Sequence, residues 1–443
     1  MLAAIVAGAV PAEAARDQSP PVSSLSMKQA TAMALEKNHG LMAAMQRTRG
    51  SGARVQQAVA AFLPALNFTS TYIRADGGRS FPMHFHPPGA PFEETIFFDV
   101  QFVPEKLHET RFRLNQPVFM GGRLYNQLKL AKADKRYFTA LESSAKQDLI
   151  LEVRRAYMDL LEARESEGVM TEALELAKEN VRSAEQLVEL GKSSRSDLLR
   201  ARVREAAAEQ DLLVATNGVR LALESLSSIL DIELVEDVAL EDVPVNEDLE
   251  IPEIEECVSR AIENTPDMEA AQRAYERSSA ALGIAKGDFL PSVSIQADYG
   301  WTEEKYRFEE NAWAVYTVLN FDIFRGTDRF ARVSEASAQK EEARELLEDM
   351  RRGTVLRVKQ AYFSLQEAAG RRSVSDARLA DAEEAFRMIS LRYESQLSSQ
   401  LEVLDAQVAL TAARLEEVSS RYDYLTAWDN LLRAMGIVRE NDS

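Results

Sequence analysis

The chain is written twice, and this duplication constrains its fold more than any other feature. "FLPALNFTSTY" (62–72) lies over "FLPSVSIQADY" (289–299), and "ALEKNHGLMAA" (34–44) over "AIENTPDMEAA" (261–271), both at an offset of 227 residues. "LNQPVFMGG" (114–122) lies over "LNFDIFRGT" (319–327), "VRRAYMDLLEA" (153–163) over "VKQAYFSLQEA" (358–368), and "SSRSDLLRA" (193–201) over "SSQLEVLDA" (398–406), all at an offset of 205. The first copy therefore carries 22 extra residues between Tyr72 and Leu114, in a Pro/Gly-rich stretch that reads as an exposed loop. Each half repeats one order: helix, strand, loop, strand, very long helix, short break, long helix.

Four segments read as strands, about 65–74, 108–120, 292–304 and 312–324. They are rich in aromatic and β-branched residues, and Leu66, Phe68, Ser70, Tyr72 alternate with Asn67, Thr69, Thr71 as on a transmembrane strand. Residues ~123–190 and ~328–394 are nearly free of proline, and each helix would span on the order of 100 Å at 1.5 Å per residue. Steps of three and four recur at Leu379, Ala382, Phe386, Ile389 and Tyr393, and again at Leu404, Val408, Thr411, Leu415, Val418, Tyr422 and Leu425. Such spacing implies coiled-coil packing. Gly191 reverses the first hairpin, whose tip includes Lys192 and Ser193; Gln396, Leu397 and Ser398 form the second tip without a glycine.

The expected organisation is a signal peptide over 1–14, a first repeat over 25–230, an acidic linker with short strands over 231–254, and a second repeat over 255–438. The leader rests on a short apolar run ending in Ala12-Glu13-Ala14; its missing basic region points to a start further upstream. The net charge of −19 argues against a nucleic-acid partner, because phosphate binding needs clustered cations. Cys257 stands alone, so neither an intrachain disulfide nor a thiolate metal cluster can form. No apolar run approaches the ~20 residues of a membrane helix, so any membrane crossing must be made by strands. Four strands cannot close a barrel, for which about eight is the floor. An open edge in lipid leaves backbone groups unpaired at several kcal/mol each. Three copies would supply twelve strands, with the long helices continuing the barrel as a hollow cylinder.

With these features in this order, twice, the chain resembles the TolC-type outer-membrane efflux proteins over residues 25–438. The resemblance rests on the duplication, the two "FLP" segments, "QPVFMGG" (116–122), the two V-x-x-A-Y segments and "VLDA" (403–406). It implies a mixed α and β membrane protein. Coiled-coil hairpins would form a periplasmic α-barrel, and four strands per chain would contribute to a trimeric 12-stranded β-barrel. It further implies a homotrimer in the outer-membrane lipid of a Gram-negative bacterium, a passive exit duct with no cofactor. The duct would open on docking with a periplasmic adaptor and a proton- or ATP-driven inner-membrane pump.

By position, the resemblance makes Glu402 and Asp405 the pore constriction at the periplasmic tip. In a trimer they form two carboxylate rings, which select cations and raise one another's pKa. The first copy has Asp197 matching Glu402 but Arg200 matching Asp405, so the two hairpins are not electrostatically equivalent. A latch is implied at Tyr393 and Asp197. Ser398 occupies the arginine position of that latch, leaving Arg195 or Arg200 as substitutes. The two turns, Gly191-Lys192-Ser193 and Gln396-Leu397-Ser398, are implied as adaptor contacts.

Two other classes compete. "GKSS" (191–194) ends like a phosphate-binding loop, but its leading glycine would be Gln186 and it joins two helices, which argues against an enzyme. Met83, His84 and His86 are the one soft-metal combination, and in a Pro/Gly-rich loop they read as having no metal role. A soluble coiled-coil scaffold would explain the helices but not the aromatic strands.

Overall fold

The computed structural model describes residues 24–74, 80–89, 91, 95–101, 106–244, 251–303, 308–309, 311–395 and 397–437. The leader expected over 1–14, residues 245–250 of the linker, Glu304 of the third strand, Val438 and Gln396 lie outside the described residues. In chain order the elements begin with β1 (Ser24–Leu25), α1 (Met27–Lys37), α2 (His39–Ala60), β2 (Ala65–Arg74), β3 (Ser80–Phe85), β4 (Ile96–Gln101), β5 (Lys106–Met120) and α3 (Arg123–Glu189). There follow α4 (Arg195–Leu230), β6 (Ala239–Leu240), α5 (Ile254–Asn264), α6 (Pro266–Gly287), β7 (Ser292–Glu303), β8 (Asn311–Asn320), α7 (Asp328–Glu394) and α8 (Gln400–Ala434). No described helix is long and apolar enough to cross a membrane.

The chain divides into two units. The strand-bearing unit comprises Ala43–Ser143 and Pro266–Gly353. Its antiparallel four-stranded sheet has the order β2-β5-β7-β8. Register sorts the side chains by chemistry. One row across the sheet is Phe68, Phe112, Tyr299, Trp313, and another is Leu66, Leu114, Ala297, Val315. The row between them, on the opposite face, is Asn67, Arg113, Asp298, Ala314, with Arg113 donating to Asp298 at 2.8 and 3.2 Å. One face is therefore apolar and aromatic and the other polar, as a strand set between lipid and water requires. Among the described residues β2 and β8 each have a single strand partner, which leaves both outer edges open.

The extra residues of the first copy are not simply an exposed loop. β3 and β4 pair as a hairpin in which Met83 faces Phe98 and Phe85 faces Ile96, because "IFFDVQ" (96–101) carries strand propensity inside a Pro/Gly-rich setting.

The helical unit comprises Met1–Met42, Ser144–Thr265 and Thr354–Ser443. β1 and β6 pair in parallel, Leu25 beside Leu240. Tyr157, from the first V-x-x-A-Y segment, is fully buried and shares its one hydroxyl proton between the carbonyls of Leu25 (2.8 Å) and Glu241 (2.7 Å), which ties that strand pair to α3. Burial pushes its phenol up to about 12. Around it pack Met27, Leu160, Leu226, Leu230 and Val238. A second core gathers Cys257, Val358, Leu365, Trp428 and Leu431. α8 is pinned to α3 by polar bonds: Arg433 to Asp148 (2.8 Å), Arg154 to Asp429 (2.7 Å), Tyr422 to Glu165 (2.7 Å) and Asn180 to Gln407 (2.6 Å). Acids and bases balance in the strand-bearing unit, so the whole net charge of −19 resides in the helical unit.

The Arg154–Asp429 pair is buried on both sides. Removing one partner of such a pair costs about 3–5 kcal/mol, whereas replacing both with apolar residues of similar volume is near neutral. Asp429→Ala is expected to lower the thermal midpoint of the detergent-solubilised protein clearly, and Arg154→Met with Asp429→Leu to restore most of the loss.

Candidate functional site

The tips of the two helical hairpins are built by local rules. α3 ends with Gly191 at φ +67°, and the amides of Lys192 and Gly191 bond the carbonyls of Leu187 (2.8 Å) and Val188 (3.0 Å). This is a Schellman cap, which needs a left-handed residue and so favours glycine. At the second tip the amide of Leu397 bonds Arg392 at 2.8 Å, the equivalent bond after the 205-residue offset.

α4 begins with a capping box. Ser194 accepts from the Asp197 amide (3.2 Å), and the Asp197 carboxylate accepts from the Ser194 amide (3.3 Å) and hydroxyl (2.7 Å) and from Ser193 (3.1 Å). The Ser194 hydroxyl, with smaller help from Ser193 and Arg200, holds Asp197 below the usual carboxylate range. The signal was present in "SRSD" (194–197), which the sequence reading passed over. Arg195, Lys192 and Arg200 are exposed.

α8 begins with Ser399, whose hydroxyl accepts from the Glu402 amide. Glu402 and Asp405 are both exposed, on the side of α8 away from buried Val403, Leu404, Ala406 and Gln407. The Ser398 hydroxyl donates to Glu402 and holds it below the usual range. Within one chain, then, Glu402 is stabilised as an anion. Tyr393 donates to Gln400, which is buried, and its own burial, with Asp197 adding negative charge nearby, pushes the phenol up. Tyr393 and Asp197 are thus brought within electrostatic reach, while each makes its hydrogen bonds inside its own hairpin.

The seam on α8 departs from the sequence reading at one position. Val408 is 43% exposed, and Gln407 is buried beside it. Gln407 donates to the Ala173 carbonyl (3.2 Å) and accepts from Asn180 (2.6 Å), so its amide is satisfied and can take the buried place. Gln400 and Gln407, one heptad apart and both buried, are the residues the sequence reading missed.

Residues 31–231 and 257–437 match the family described as outer membrane efflux protein. The chain belongs to that family. It is an outer-membrane efflux component that extends into the periplasm, and the family is one of channel proteins. The chain is 22% identical over 309 residues to the alkaline protease secretion protein AprF of Pseudomonas aeruginosa, covering 68% of this chain and 63% of AprF. It is 22% identical over 324 residues to the cobalt-zinc-cadmium resistance protein CzcC of Cupriavidus metallidurans, covering 72% of this chain and 76% of CzcC. Its fold is similar to that of the outer-membrane channel OprN, with a TM-score of 0.79, 21% identity, and coverage of 93% of this chain and 89% of that one.

The Ser398–Glu402 bond carries a pH prediction. A carboxylate whose folded pKa is depressed stabilises the fold above its unfolded value, about 4.3, and loses that contribution as pH falls through the folded pKa. Ser398→Ala is expected to weaken hydrogen-exchange protection of amides 400–404 at pH 7. Below the folded pKa of Glu402 the substitution should make little difference.

Proposed function

We propose that three copies of this chain assemble into a passive duct from the periplasm to the exterior, one part of a tripartite efflux or secretion system, without enzymatic activity. One observation carries the reading: a four-stranded sheet, apolar on one face and polar on the other, with both outer edges open. Such a sheet cannot stand alone in lipid, and cyclic copies of itself are the simplest completion. The helical unit supports the same reading, because α4 exposes Leu199 and Val203, and α7 exposes Phe363, Val374 and Met388. Apolar stripes of this kind on long helices call for neighbouring helices. AprF is named for protease secretion and CzcC for metal resistance; a passive duct serves either kind of cargo.

In this assembly Glu402 and Asp405 ring the periplasmic mouth, with Tyr393, Asp197, Ser398, Arg195 and Arg200 around them as the closing contacts. The turns at Gly191, Lys192 and Ser193 and at Gln396, Leu397 and Ser398 meet the periplasmic adaptor. An inner-membrane pump, proton- or ATP-driven, supplies the energy.

Light scattering of the protein in mild detergent is expected to give a trimer; a monodisperse folded monomer would sink the reading. In planar bilayers the channel is expected to prefer cations and to be blocked from the periplasmic side by di- or trivalent cations. Fixed charge acts over roughly a Debye length, ~8 Å at physiological salt, so the block should weaken as salt rises. Glu402→Gln with Asp405→Asn should lower the selectivity and remove the block while leaving assembly intact. Unchanged selectivity and block would remove these carboxylates from the pore.

A further inference from the structure

The two copies inside the strand-bearing unit differ in charge. The first copy's part, Ala43–Ser143, holds 13 cations against 8 acids, and the second copy's part, Pro266–Gly353, holds 12 against 17. Much of the first copy's excess is gathered at the start of α3. Tyr125, Lys129, Lys132 and Arg136 recur there at steps of four, three and four on one exposed face, with Lys135 beside them. At the 205-residue offset these four positions become Phe330, Ser334, Ser337 and Glu341, and only Lys135 meets another cation, Lys340. The second copy keeps the long helix and the exposed aromatic residue but not the cations, so neither helix formation nor packing calls for them.

The cations of the two helices also differ in their partners. On α7, Arg332 pairs with Asp328 (3.1 Å) and Arg344 with Glu341 (3.0 Å), and Lys340 lies over the Tyr275 ring. On α3, among the described residues, none of Lys129, Lys132, Lys135 and Arg136 has an acidic partner. Asp134, which stands among them, gives its carboxylate to Arg277 (2.7 Å) and Arg54 (3.9 Å) instead. Lys132, Lys135 and Arg136 line a hollow of about 340 Å³ together with Thr139, Val55 of α2 and Glu269 of α6. Glu269 is already held by Arg273 (3.2 Å). Three like charges around one hollow repel one another, and an anion seated there turns that repulsion into attraction.

We propose that this hollow on α3 binds a phosphate group. Two ammonium groups and a guanidinium fork supply more donors than a phosphate's oxygens need, and the fork can take two oxygens at once. A phospholipid headgroup and a soluble phosphate both present this group. The surroundings favour the headgroup: β5 ends at Met120, Tyr125 in the first turn of α3 is 67% exposed, and the cations follow it. An exposed tyrosine followed by cations is the order found where a chain leaves a lipid surface. At 1.5 Å per residue Lys129 and Lys132 stand about 9 and 14 Å along the helix from Arg123. The inference goes beyond the duct reading and holds for one chain or for three.

Calorimetric titration of the detergent-solubilised protein tests it, with inorganic phosphate in one arm and dihexanoyl-phosphatidylglycerol in the other. Saturable binding is expected. If only the lipid binds, the site is one for headgroups; binding of inorganic phosphate makes it a site for soluble phosphates. Each cation near an anionic surface is worth about fivefold, so Lys132→Gln with Lys135→Gln and Arg136→Gln should weaken binding at least about tenfold. Lys286→Gln is the control, because Lys286 lies about 25 Å from Glu269 along α6 at 1.5 Å per residue. With a Debye length of ~8 Å, that change should alter binding less than about twofold. Light scattering and circular dichroism accompany each variant. Should the triple variant fail to fold, Lys132→Gln alone, with its loss of about fivefold, decides. No saturable binding in either arm overturns the proposal, as does a loss with Lys286→Gln equal to that with Lys132→Gln, or an affinity that does not fall as salt rises. None of these results bears on the duct reading, which stands or falls by the trimer.

Discussion

A peptide group in hydrocarbon must be hydrogen-bonded, and the rest of this structure follows from that requirement. The sheet of four described strands leaves β2 and β8 with one strand partner each, and so two unpaired edges. Those edges cannot be capped locally without ending the barrel. The amphipathic register, with Phe68, Phe112, Tyr299 and Trp313 in one row and the Arg113–Asp298 pair in the row on the opposite face, is the pattern of a membrane β-barrel, apolar toward lipid and polar toward water.

The helical unit meets a different problem, how to fix one register among several along very long helices. Apolar heptads alone permit slippage, since each shift by a heptad buries similar side chains. Buried polar groups with specific partners do not. Gln407 reaches both Asn180 and the Ala173 carbonyl, Ser375 meets Ser420, and Tyr157 clasps two carbonyls from different segments. A shift of any one helix would leave these groups without partners in a dry interior, at about 1–3 kcal/mol each.

Much of this could be read from the sequence because it is periodic or repeated. The duplication announced two equivalent strand–helix units, alternation marked the strand faces, and Gly191 marked a reversal. What escaped were features set by a single partner elsewhere in the chain. A glutamine at position 407 looks like a surface residue until Asn180 is seen opposite it. Val408 looks like part of the stripe until Gln407 is seen to fill that place. The β3–β4 hairpin was hidden because prolines and glycines on both sides suggested only a loop. At the tip, the exposure of Glu402 and Asp405 was legible from helical spacing. The bond that holds Glu402 as an anion was not, because it comes from Ser398, one residue outside the helix cap.

Because acids and bases balance in the strand-bearing unit, the helical unit carries the chain's whole excess of negative charge. Its surface potential draws an excess of small cations from solution. Any protein that settles on the helices with basic side chains displaces part of that excess, and the released ions gain entropy. Association there would be driven partly by the solvent electrolyte rather than by contacts alone, and acidic proteins would be kept off the same surface by the same charge.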